Sequence, residues 1–126
     1  MANQHQDLRE RTKRFAIRVV KAVQRLPRTD AGRTIGKQLL RSGTSVAANY
    51  RAVGRARSKA EFIAKMGVVV EEADETVFWL ELLVDAGIVR KEVANGLLTE
   101  ANELLRIFAA SLGTAKARGG RFDSTK

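Results

Sequence analysis

The chain has no cysteine, one proline (Pro27) and one histidine (His5), and aromatic residues make up only 6% of it. Without thiols there is neither a disulfide framework nor a thiolate metal site, which fits a reducing compartment. A lone histidine excludes the paired Glu-x-x-His motifs of a di-iron bundle. It also leaves Ser42, Ser45 and Ser58 without a base to activate them as nucleophiles. The longest apolar run of any weight, Met66 to Val70, is far short of the ~20 residues that cross a bilayer. Met1 to Gln6 lacks the basic and apolar regions of a secretory signal, so a cytoplasmic location and no membrane partner are expected. Gly32-x-x-x-Gly36 follows no strand and is no phosphate loop. The one dense group of carboxylates, Glu71, Glu72, Asp74 and Glu75, reads as a solvated or ion-paired helix face rather than a metal site. The expectation is a protein that is not an enzyme and has no cofactor and no metal.

What is present is helical periodicity. Of the 126 residues 44% are hydrophobic, enough for one packed domain. Leu8, Phe15, Val19, Ala22, Val23 and Leu26 share one stripe of a helix that stops before Pro27. A second helix is expected over about 32–56, with Ile35, Leu39, Val46, Tyr50 and Val53 on its stripe. Small residues crowd it (Ser42, Gly43, Ser45, Ala47, Ala48, Ala52 and Gly54), which suggests close approach of another backbone. Ser58-Lys59-Ala60-Glu61 fits a capping box and starts a third helix. There Phe62, Met66, Val69, Ala73, Thr76, Leu80 and Leu83 alternate by four and three, the spacing of a bundle seam, and Gly87 ends the helix. A fourth, over about 90–115, is carried by Val93, Leu97, Ala101, Leu104, Phe108 and Leu112. The expected fold is all-α, an up-down-up-down antiparallel four-helix bundle over residues 8–115. It is flanked by a flexible N-terminus (1–7) and a disordered basic tail (116–126).

Charge is segregated. The formal net charge is +9, yet residues 1–57 hold 14 Lys/Arg against 3 Asp/Glu, and residues 58–86 hold 2 against 7. Arg11, Arg14, Arg18, Lys21 and Arg25 form a basic stripe beside the apolar one on the first helix. Arg33, Lys37, Arg41, Arg51 and Arg55 fall within ~80° on the second, opposite its apolar stripe. One reading is phosphate contact by these ten residues, directed at RNA or DNA backbone and poorly sequence-specific, since aromatic platforms are scarce. Another is self-association: Glu71, Asp74, Glu81 and Asp85 on the outer face of the third helix could meet the basic helix-two surface of a second copy. Ile17 and Val20 would be apolar additions to such an interface. A third reading has the second and third helices neutralise each other within one chain.

The segment from Gln38 to Tyr50 (QLLRSGTSVAANY), with Ala56-Arg57-Ser58 and Phe62, resembles the bacterial four helix bundle protein family. That family is related to proteins encoded in intervening sequences of 23S ribosomal RNA genes and is sometimes labelled S23 ribosomal protein. Glu72 to Thr76 and Trp79-Leu80-Glu81 match its third helix, so the resemblance spans about 8–115. It implies a homopentameric ring and a family whose biochemical role is mostly unassigned. A similar bundle is the accessory protein of diversity-generating retroelements, so the implied partners are a second copy, RNA or DNA, and a nucleic-acid enzyme such as a reverse transcriptase.

Overall fold

The structure, a computed structural model, describes residues 4–124, with side chains described for residues 5–118. Four helices follow in chain order: α1 (Gln4–Gln24), α2 (Asp30–Val53), α3 (Lys59–Asp85) and α4 (Lys91–Ser124). They form the expected antiparallel bundle. Successive helices pack along their length, α1 and α4 are the least closely packed of the neighbouring pairs, and the backbones of the diagonal pairs α1–α3 and α2–α4 stay apart.

The stripes meet on the axis. Phe15 and Val19 of α1, Leu39, Val46 and Tyr50 of α2, Met66, Val69, Ala73, Leu80 and Leu83 of α3, and Leu97, Ala101, Leu104 and Phe108 of α4 form one buried cluster. Each large side chain taken fully out of water there contributes roughly 1.5–3 kcal/mol. Thr12, absent from the apolar stripe, is buried as well because its Oγ1 donates to the carbonyl of Leu8 at 2.8 Å. Val93 departs from its expected place on the stripe. It is 65% exposed, and Ala94, one position on, faces the core instead.

The small residues of α2 do what their crowding suggests. A Cβ at Gly43 would lie 2.8 Å from both γ-methyls of Val19, so α1 rests almost on the α2 backbone. On the neighbouring side of α2, the hydroxyls of Ser42 and Thr76 are 3.0 Å apart, both fully buried. Thr76 also reaches its own helix at the Glu72 carbonyl, 2.7 Å away. Among the described residues no buried side-chain N or O lacks a partner, which keeps this polar contact from costing stability.

The ends follow local chemistry. α2 begins at Asp30, two residues before the expected start, and Thr29 caps it: its Oγ1 accepts from the Gly32 amide at 3.0 Å. Gly54 is the C-cap, so α2 stops before the expected Ala56 and Arg55 lies beyond the helix. Ser58 caps α3, accepting from the Glu61 amide at 3.0 Å, while the Glu61 carboxylate accepts from the Arg57 amide at 2.7 Å. Gly87 turns the chain after α3 at φ 74°, the left-handed region that glycine enters without cost.

Both flanks are more helical than the sequence suggests. Residues 4–7, expected to be flexible, belong to α1. The His5 ring packs against Gly54 and its Nδ1 lies 3.0 Å from the Tyr50 hydroxyl, which ties down the first turn. Residues 1–3 of that expected segment lie outside the described residues. α4 runs past Ala115 to Ser124 instead of giving way to an irregular tail at Lys116, and residues 125–126 lie outside the described residues. Ala115 is buried, and the Ala, Lys and Arg that follow it are strong helix formers.

The contact at Gly43 makes a direct expectation. Gly43→Ala should destabilise the bundle, because overpacking against stiff, buried Val19 costs about 1–3 kcal/mol and outweighs the ~1 kcal/mol that alanine returns within a helix. Gly113→Ala on α4, where a Cβ would meet nothing within 4 Å, should instead stabilise by about 1 kcal/mol. Urea unfolding of the two variants would check the opposite signs.

Candidate nucleic-acid interface

The ten cations singled out in the sequence do not form one surface. Those of α1 lie on the flank towards α4. Arg11 is held there: its Nε donates to Glu100 Oε2 at 2.7 Å and its Nη2 to Glu100 Oε1 at 2.9 Å, and it also binds Glu103. This fork closes the α1–α4 seam where apolar packing is thin. It raises the affinity of Arg11 for its proton, chiefly through the hydrogen bonds to Glu100 and Glu103, and holds the Glu100 carboxyl below the usual range through the hydrogen bond from Arg11. Arg14, Arg18, Lys21 and Arg25 are exposed along the same flank.

Arg41 is the second cation taken out of circulation. It reaches across to α3, pairing with Glu72 at 3.3 Å and with Glu75, and the Trp79 indole donates to the same Glu75 at 3.3 Å. The neutralisation of helix two by helix three is therefore real at this one point. Among the described residues, Arg11 and Arg41 make all four of the ion-pair contacts.

The α2 cations that remain border the outer groove between α1 and α2. At one end Arg51 faces Arg9 and Lys13 across a hollow of about 570 Å³ floored by Thr44, Ala47 and Ala48, with Glu10 the one carboxylate in its lining. At the other end Arg33 and Lys37 join Arg28 around a hollow of about 430 Å³ beside Pro27, with no carboxylate in its lining. Arg9, Lys13 and Arg28 are additions the sequence reading missed. Arg9 and Lys13 are four apart on α1, but on its opposite flank from the stripe that was followed, and Arg28 sits in the turn. Arg55, beyond the α2 end, is exposed.

The residues expected at an oligomer interface are dispersed. Ile17 is 45% exposed and Val20 half-buried on α1, while Glu71, Asp74, Glu81 and Asp85 are all exposed on α3. Within that acidic face stands Phe78, 51% exposed and edge-on to Trp79 at 4.9 Å between ring centroids. The sequence reading passed over it because it lies off the α3 seam. No group of three or more His, Cys, Asp or Glu capable of holding a metal occurs among the described residues, and no described helix is long and apolar enough to cross a membrane.

A family model described as 23S rRNA-intervening sequence protein matches residues 4–110. A solved structure of a protein of unknown function from the S23 ribosomal protein family of Bacteroides thetaiotaomicron is similar over most of both chains. Its TM-score is 0.80 at 30% identity, covering 86% of this chain and 97% of that one. No curated protein matches the chain.

The Arg11 fork has a pH signature. The folded-state pKa of Glu100 is depressed, so the fork's stabilisation is fully present above the ordinary carboxylate range and is lost as pH falls through and below it. Arg11→Gln should lower stability at pH 7 by about 1 kcal/mol, since the pair is partly solvated. The variant should also lose less stability than wild type between pH 7 and pH 3, as read from urea unfolding at the two pH values.

Proposed function

The chain belongs to the 23S rRNA-intervening sequence protein family, and we propose that it is a non-enzymatic, homo-oligomeric four-helix bundle that binds RNA or DNA backbone along the outer α1–α2 groove. The observation that carries this reading is the fate of the cations. Arg9, Lys13, Arg28, Arg33, Lys37 and Arg51 gather along one groove, and none makes an ion pair within the chain among the described residues. Exposed like charges held together repel one another, and a polyanion that releases its counterions relieves this. The groove offers no aromatic side chain for stacking, so recognition would be of phosphate rather than base. A pentamer, the assembly implied by the resemblance, would repeat the groove five times and raise the affinity for a long strand by multivalency.

A second reading, an assembly that serves as scaffold for a protein partner such as a nucleic-acid polymerase, draws on the exposed Phe78 in its acidic surround. The two readings separate on salt dependence. For binding to duplex DNA, six phosphate contacts correspond to a log–log salt slope of about −5. Arg33→Glu/Lys37→Glu/Arg51→Glu should weaken binding strongly and reduce the slope by about 3 units. Equal affinities of wild type and variant across the salt series would remove the groove as a binding surface. The wild-type solution mass, expected at about five times that of the protomer, tests the assembly.

A further inference from the structure

A different hollow lies at the α1–α4 seam, at the end remote from His5. It holds about 330 Å³, at the lower end of the size range of ligand sites. Its floor is aliphatic and reaches the core at Leu39, Leu83 and Leu97, its α1 rim carries Arg18, Lys21 and Arg25, and no carboxylate lines it. Val93, 65% exposed, stands at its mouth. An occupant must therefore present an apolar group with negative charge around it. The floor has neither aromatic faces nor hydrogen-bonding side chains, which suits a hydrocarbon side chain better than a nucleobase.

The chain itself carries that chemistry. Phe78, the largest of the exposed hydrophobics among the described residues, projects from the outer face of α3, where Glu71, Asp74, Glu81 and Asp85 are exposed. It cannot enter the hollow of its own chain. Leu80 and Leu83 turn the opposite side of the same helix to that hollow. We propose that Phe78 of one copy seats in the α1–α4 hollow of a second copy, with its acidic neighbours against Arg18, Lys21 and Arg25. Knob and hole are different surfaces of one chain, so the contact is heterologous: each copy offers one of each, and the assembly grows until it closes. A buried aromatic within a ring of complementary charge is the usual anatomy of an interaction hot spot. The inference rests on the self-association reading and revises its pairing. The acidic face meets the α1 stripe rather than α2, which leaves the α1–α2 groove open.

Sedimentation equilibrium on full-length chains tests it, with circular dichroism to confirm that each variant is helical. Phe78 is exposed, so Phe78→Ser should fold and should raise the dissociation constant of assembly roughly 30-fold or more. Lys21→Glu/Arg25→Glu and Glu81→Lys/Asp85→Lys should each dissociate the assembly. All four substitutions in one chain should restore it, because the reversed pair on α1 then meets the reversed pair on α3 while Arg18, Glu71 and Asp74 keep their signs. Wild-type mass in the Phe78→Ser variant or in either charge-reversed variant, with wild type assembled, overturns the knob-in-hole contact and leaves self-association standing. Failure of the four-fold variant to reassemble overturns the charge pairing. A monomeric wild type at tens of micromolar would remove both this inference and the reading beneath it.

Discussion

The approach of α1 to α2 at Gly43 decides how the rest of the bundle is shared out. With no side chain at 43, the γ-methyls of fully buried Val19 lie where a Cβ would stand, and the two helices run close together. On its other side α2 meets α3 through the Ser42–Thr76 hydroxyl contact, which again admits only small residues. α2 therefore holds both neighbours tightly, and α4 completes the core largely from α3. The α1–α4 seam is the one left slack. Arg11, forked onto Glu100 and bound to Glu103, closes its middle, and hollows open towards both ends.

That asymmetry sorts the charge. Close packing of α1 on α2 brings Arg9 and Lys13 opposite Arg51, and places Arg28 beside Arg33 and Lys37. The repulsion among them is tolerable for the fold because all six are exposed to water and salt. Among the described residues the carboxylates that pair with an α2 cation are on α3, where Arg41 takes Glu72 and Glu75, while Glu10 is the one carboxylate lining the α1–α2 hollows. The slack seam keeps Arg18, Lys21 and Arg25 of the α1 stripe next to an aliphatic floor. One surface thus offers six cations against the single carboxylate of Glu10, and the other offers cations around a hydrocarbon hollow. The first suits phosphate and the second suits an acidic, apolar protein face.

Much of the fold was legible in the sequence because a 3.6-residue period encodes burial directly. The α3 seam from Met66 to Leu83, the Ser58 cap and the Gly87 turn all stand where the pattern puts them. The misses have local causes. The apolar stripe of α2 begins only at Ile35, which leaves the Thr29 cap outside the periodic stretch, and Gly54 falls among small residues that read as helix interior. Val93 begins the apolar count on α4, yet Ala94, three residues before Leu97, is the one that faces the core. His5 could not be placed from the sequence, since its partners Tyr50 and Gly54 are some forty-five residues away. The candidate surfaces were less legible still. Side chains on one helix share a stripe that can be counted, but Arg9, Lys13 and Arg51 become neighbours only once α1 and α2 are docked. Packing of α1 against α4 and of α2 against α3 removes Arg11 and Arg41 from the set by giving them carboxylates on those helices.

On the proposed reading the outer α1–α2 groove is the polyanion surface, and α3 takes no part in it. Backbone amide chemical shifts followed during titration with a short single-stranded RNA at low salt test this most directly. The expected result is a set of saturable shifts at Arg9, Lys13, Arg28, Arg33, Lys37 and Arg51, with α3 unmoved from Glu71 to Asp85. Shifts concentrated on α3, or on the Arg14 to Arg25 flank with the groove silent, would contradict it.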